Sequence, residues 1–259
     1  ALKLLSSVST LVTQGGKRDG ANMAVMNVHH PDIEEFIDCK TEEGAIHNFN
    51  ISVGATDAFM KAVKSNEEFE IIDPTSKEVV GKKDARKLFN KIVKGAWKNG
   101  EPGIIFLDEV NRKSPVSHLG EMTATNPCGE QPLLPNESCN LGSINLAKFL
   151  NAGNTEVDWD KLRKTTRTAT HFLDNTIDAN KYAIPEIKKA NKLSRKIGLG
   201  VMGFADMLIK MKISYDSEKA VNLGREVMSF IQTESDKMSE ELATEKGPFE
   251  GWEGSRPQI

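Results

Sequence analysis

Asn126-Pro127-Cys128-Gly129-Glu130 sets an amide, a thiol and a carboxylate at alternating positions of one pentapeptide. Pro127 cannot donate a backbone hydrogen bond and disfavours the helical region at Asn126, while Gly129 relaxes the backbone just beyond the cysteine. The reading is an extended segment, in which positions i, i+2 and i+4 share a face, so Asn126, Cys128 and Glu130 stand side by side. Such a face matches a vicinal diol: two hydroxyls of a ribose bonded to amide and carboxylate, with a C–H bond facing the sulfur. Taken alone the pattern is weak, because a cysteine in a Pro/Gly-rich loop is more often a small buried hydrophobe than a catalyst.

The wider sequence adds to it. The run continues as Gln131-Pro-Leu-Leu-Pro-Asn-Glu-Ser-Cys139-Asn-Leu-Gly-Ser-Ile-Asn-Leu146 and is preceded by Glu101-Pro-Gly-Ile-Ile-Phe-Leu-Asp108. Together they closely resemble the active-site strand of ribonucleotide reductases, in wording closest to class II, and the resemblance covers nearly the whole chain. It implies that Cys128 is the thiyl radical that takes the ribose 3′ hydrogen. Asn126 and Glu130 would hold the 2′ and 3′ hydroxyls, with Glu130 as general base. Cys139 would be one half of a disulfide formed as substrate is reduced, its partner lying on an earlier strand outside this sequence. The implied reaction is reduction of ribonucleotides, by this wording diphosphates, to 2′-deoxyribonucleotides. The implied radical source is adenosylcobalamin; the alternative is a metal-containing second subunit, as in class I. A thioredoxin-like reductant, a deoxynucleotide effector and a homodimer follow from the same resemblance. A non-catalytic nucleotide-binding fragment is the reading from a different class.

Gln14-Gly15-Gly16-Lys17-Arg18-Asp19-Gly20 is a glycine-rich loop with two adjacent cations, able to set backbone N–H groups and positive charge against a phosphate or a base. By itself it reads equally as a flexible helix-to-strand connection. The resemblance makes it a specificity loop, with Gly15, Gly16, Lys17 and Arg18 as candidate nucleotide contacts and Asp19 where the family pattern carries a further basic residue.

The chain has 259 residues, 38% hydrophobic and 27% charged, the balance of a globular protein with one large or two small domains. A net charge of −3 gives no basic field for a nucleic acid polymer or a membrane surface. No apolar run reaches the roughly 18 residues of a membrane span. Three cysteines, an odd and sparse set, fit a reducing cytoplasm better than a disulfide scaffold. No metal-ligand spacing is evident: His29 and His30, adjacent on an extended segment, face opposite ways and read as capping or packing residues. Ala1 to Thr13 already has helical spacing, so residues 1–259 are read as an internal portion of a barrel domain.

The elements that must position these groups alternate between strand and helix. Strands are expected at Met23–Val28, Asn48–Gly54, Ile104–Leu107 and Lys196–Gly203, and a hairpin at Phe69–Ile72 and Lys77–Val80 turning on Asp73-Pro74. A helix is expected to start at His29-His30-Pro31-Asp32, with Pro31 near the first helical position. Others are expected after Thr56 or Asp57, from Asp84 to Asn99, from Asp158 with Leu162, Thr166, Phe172, Leu173 and Ile177 on its apolar face, and from Ser217. The short apolar strand at Ile104 suits a strand covered on both faces. The Gly198, Gly200 and Gly203 spelling matches a dinucleotide fingerprint but lies inside an apolar run, so close strand packing is preferred. The fold class is α/β, and by resemblance part of a ten-stranded α/β barrel.

Overall fold

A computed structural model describes residues 1–12, 16–17, 19–42, 44 and 46–256, and the chain folds as two compact units, 1–135 and 136–259. The first contains α1 (Leu2–Leu11), β1 (Asn22–Asn27), α2 (Ile33–Asp38), β2 (Phe49–Ala55), α3 (Asp57–Ser65), β3 (Glu68–Ile72), β4 (Val79–Asp84), α4 (Ala85–Asn99), β5 (Gly103–Phe106), α5 (Leu107–Lys113), β6 (Ala124–Thr125) and β7 (Pro132–Leu133). Strands β1, β2 and β5 form a parallel sheet in that order, β3 and β4 an antiparallel hairpin, and β6 and β7 a short antiparallel ribbon.

Local chemistry sets these boundaries. The Thr56 hydroxyl accepts from the Phe59 N–H to start α3, and the Asp84 carboxylate accepts from Lys87 to start α4. Gly100, at φ +85°, ends α4 in the left-handed conformation that glycine adopts without strain. In the hairpin turn the Asp73 carboxylate accepts from the Thr75 and Ser76 N–H groups, as Asp-Pro turn chemistry predicts. The sheet buries Ile51 and Val53 against Ile33 and Phe59, and Phe59 meets Phe69 edge-on at 5.0 Å.

Two expectations shift. Helix α2 begins at Ile33, two residues after Pro31, and Asp32 occupies the cap position without a side-chain cap bond. His29 hydrogen-bonds to the Glu70 carbonyl and the Thr56 hydroxyl, and the His30 ring accepts from the Asp32 N–H, so both histidines serve the turn and its packing. Strand β5 pairs with β2 on one side, leaves Phe106 47% exposed and gives Leu107 to α5. Among the described residues β5 lies at the edge of its sheet, and the exposure of Phe106 shows separately that its faces are not both fully covered. An apolar run cannot by itself tell one covered face from two.

Glu101 fastens β5 to β2. Its carboxylate accepts from the Ile51 N–H at 3.0 Å and from Lys40 Nζ at 2.5 Å, and Lys40 also donates to the Phe49 carbonyl. Position 103 is tight here, since a Cβ would lie 2.8 Å from Ser52 Oγ and the serine side chain would have to turn away. Replacing Glu101 with Ala strands the Lys40 ammonium, whose side chain is only 13% exposed, and a strand N–H. The expected cost is about 2–4 kcal/mol, read from urea unfolding. A change under about 0.5 kcal/mol, the ordinary surface value, would contradict this role.

The second unit contains β8 (Asn140–Asn145), α6 (Trp159–Ala179), α7 (Pro185–Ser194), β9 (Ile197–Met202), α8 (Phe204–Lys210) and α9 (Glu218–Lys246). Strands β8 and β9 are parallel, with Asn140 opposite Ile197 and Asn145 opposite Met202. Asp158 and Ser217 cap α6 and α9 through the Lys161 and Ala220 N–H groups. Helix α6 buries Leu162, Thr166, Leu173 and Ile177, but Phe172 is 68% exposed, a correction to its reading as a core-facing residue. At about 100° per residue Phe172 lies well off the stripe defined by Thr166 and Leu173. Helix α7 has no counterpart in the sequence reading. Arg195 ends it, and with Lys192 ties it to α6 through Asp178, whose carboxyl these cations hold well below the usual carboxylate range.

Gly198 and Gly200 lie within β9, and Gly203, at φ +69°, opens α8. A Cβ at Gly203 would come 2.3 Å from Asn145 Oδ1. A Cβ at Gly198 would come 2.4 Å from Leu141 Cδ2, so close approach accounts for Gly198 and Gly203, as the sequence favoured. At Gly200 the nearest atom to a Cβ, the Gly142 carbonyl oxygen, lies 3.9 Å away and leaves room for a side chain. Among the described residues, no helix is long and apolar enough to cross a membrane.

Candidate active site

Strands β6 and β7 are two residues each, and Asn126 to Gln131 form the tip that joins them. Three hydrogen bonds close that tip. The Gly129 N–H donates to the Asn126 carbonyl at 3.0 Å, the Asn126 N–H to the Gln131 carbonyl at 3.2 Å, and the Gln131 N–H to Asn126 Oδ1 at 2.9 Å. Pro127 supplies a fixed φ at the second turn position, and Gly129 takes φ +84° just after it.

The extended segment expected from the sequence is thus a tight turn. Proline and glycine two residues apart fit a turn better than a strand, and the short β6–β7 ribbon supplies the ends it must join. Asn126, Cys128 and Glu130 do not share a strand face; they are grouped around one turn. Cys128 and Glu130 are exposed and Asn126 is half-buried. Asn126 commits its side-chain Oδ1 to the turn, which leaves the Nδ2 amide as the donor it can offer a ligand.

Cys139 lies in the second unit, half-buried, one residue before β8. Lys196, one residue before the paired strand β9, forms a buried ion pair at 2.6 Å with Glu137, two residues before the cysteine. None of the three cysteines is in a disulfide. Cys39, at the end of α2, is half-buried, and burial pushes its thiol pKa up, which suits a structural thiol rather than a reactive one.

Of the glycine-rich loop, Gly16 and Lys17 are exposed, with Gly16 at φ +68°; Gly15 and Arg18 lie outside the described residues. Toward the end of the loop, Asp19 faces His47 at 3.4 Å, and both line a cleft of about 260 Å³ with Asn22, Asn48 and Asn50. Among the described residues there is no group of three or more His, Cys, Asp or Glu that could hold a metal ion.

Residues 1–258 match the family model described as ribonucleotide reductase, barrel domain. The chain belongs to the ribonucleotide reductase barrel-domain family. Among its relatives is a vitamin B12-dependent ribonucleoside-diphosphate reductase of Thermoplasma acidophilum, 51% identical over 255 residues, covering 98% of this chain and 33% of the relative. A protein of the same name from Mycobacterium tuberculosis is 47% identical over 256 residues, covering 98% of this chain and 37% of the relative. A ribonucleoside-diphosphate reductase subunit alpha of Chlamydia pneumoniae is 32% identical over 290 aligned residues, covering 98% of this chain and 28% of the relative. The chain spans about a third of the length of these relatives.

Sequence reasoning missed two residues that shape this reductase-family turn. Asn111 on α5 bonds the Met122 N–H and carbonyl at 2.8 and 2.9 Å, fixing the approach to β6. Asn50 on β2 donates to the Pro127 carbonyl. Asn50 is the one exposed position in a strand otherwise buried from Phe49 to Ala55, a property of the folded sheet that the local sequence does not display.

Proposed function

We propose that this chain is the central, internal portion of the ten-stranded barrel domain of a ribonucleotide reductase that converts ribonucleoside diphosphates to 2′-deoxyribonucleotides by thiyl radical chemistry. The observation that carries the reading is the turn that groups an exposed thiol, an amide donor and a carboxylate, in a chain of this family. In the net reaction the ribose C2′–O bond breaks, a C2′–H bond forms, two thiols become a disulfide and water leaves.

The residues divide the work. The Cys128 sulfur takes the hydrogen atom from C3′, breaking that C–H bond and forming S–H, and returns it after reduction. Asn126 Nδ2 donates to a hydroxyl oxygen and orients the sugar. The Glu130 carboxylate accepts the 3′-hydroxyl proton, a general-base step of ordinary size. Cys139 is one of the two thiols oxidised. A thioredoxin-like reductant restores them.

The cofactor in this proposal is adenosylcobalamin, whose cobalt–carbon bond breaks homolytically and so supplies the radical when bound. An exposed Cys128 thiol outside any disulfide fits a group that must take a hydrogen atom from it. The relatives at 47–51% identity carry the B12-dependent name, whereas the subunit-alpha relative stands at 32%, which favours cobalamin over a second metal-containing subunit. The loop with Gly15, Gly16, Lys17 and Arg18 is the proposed deoxynucleotide contact. The exposed apolar residues Leu4, Leu5, Val8 and Leu11 on α1 support a homodimer, and the sparse cysteines support a cytoplasmic location.

The test is turnover of ribonucleoside diphosphates by the full-length reductase with and without adenosylcobalamin. Deoxynucleotide formation that depends on the cofactor is expected. Undiminished formation without it would overturn the cofactor assignment.

A further inference from the structure

We propose that Asn50 is a positioning residue for Cys128, an inference that rests on the reductase reading above. Its side chain crosses 77 positions of sequence to donate Nδ2–H to the Pro127 carbonyl. That carbonyl belongs to the peptide linking Pro127 to Cys128. Peptide groups are planar, so holding the oxygen fixes the plane that enters Cys128 and restricts the φ rotation that aims its thiol.

The support behind Asn50 is rigid. Strand β2 is the middle strand of the parallel sheet, paired with β1 through residues 49–54 and with β5 through residues 52–55. Its other residues are buried, with Ile51 and Val53 at 1% and 0% exposure. The three hydrogen bonds within Asn126 to Gln131 close the turn on itself, whereas the Asn50 bond ties it to the sheet. The strands flanking the turn, β6 and β7, are only two residues each and give it little stiffness of their own. Asn50 also borders the cleft shared by Asp19 and His47, so one side chain touches both the cysteine turn and the surface beside the glycine-rich loop.

The chemistry of the contact dictates the variants. Asn50→Asp keeps the shape but replaces the donor with a carboxylate that repels the Pro127 carbonyl. Asn50→Ala removes the contact. Because Asn50 is exposed, neither variant opens the core. In the full-length reductase with its cofactor, both are expected to lower kcat about 10–100-fold with KM and Tm near wild type, the effect of a reacting atom misplaced by about 1 Å. Iodoacetamide should also label Cys128 several-fold faster relative to Cys39, because the turn is released. Wild-type kcat and labelling would overturn the proposal, as would a kcat loss matched by a fall in Tm. Cys128→Ser run alongside separates the two readings. Retained turnover there sinks the reductase reading itself, while its loss beside an unaffected Asn50→Asp sinks only the positioning role.

Discussion

Cys128→Ser in the full-length reductase is expected to lower deoxynucleotide formation by more than about 10⁴-fold, the scale seen when the reacting nucleophile of an enzyme is removed. Serine is nearly isosteric, and position 128 is exposed at a turn, so the fold should change by no more than about 0.5 kcal/mol. What changes is the bond. An O–H is much stronger than an S–H, so the radical cannot be passed to the serine oxygen and handed back after reduction. Steady-state assay together with a thermal melt checks both halves of the expectation.

Glu130→Gln comes next in size, with an expected loss of about 10²–10⁴-fold in kcat. Glutamine keeps the length and the hydrogen-bonding carbonyl but cannot accept the 3′-hydroxyl proton as the ketyl-forming step requires. Glu130 is exposed, so stability should be unaffected. A rate within about threefold of wild type would remove Glu130 from the base role, since general-base catalysis contributes at least about 10²-fold. The Cys128 assignment would survive that result, because it rests on a different bond.

Much of the local structure could be read in advance. Thr56, Asp84, Asp158 and Ser217 each start the helix assigned to them, because an N-cap is a contact over two or three residues that sequence displays directly. The βα alternation of the first unit was legible for the same reason. Three things were not. The Asn126 to Glu130 segment read as extended because Pro127 was weighed as a helix breaker, while its role with Gly129 as a turn former was not. The exposure of Phe172 and Phe106 depends on which faces find neighbours, information carried by partners far along the chain. The contacts of Glu101 with Ile51 and of Asn50 with Pro127 span 50 and 77 positions, and no local pattern encodes them. The candidate residues were visible as types, but their arrangement around a turn was not.

The central claim is that Cys128 removes the ribose 3′ hydrogen. It is tested most directly by giving the full-length reductase an equal mixture of 3′-protio and 3′-deutero ribonucleoside diphosphate, beside the Cys128→Ser variant. The account predicts that unreacted substrate becomes enriched in deuterium with the wild-type enzyme, and that the variant consumes neither form. Consumption of both forms at the same rate by wild type and variant alike would contradict it.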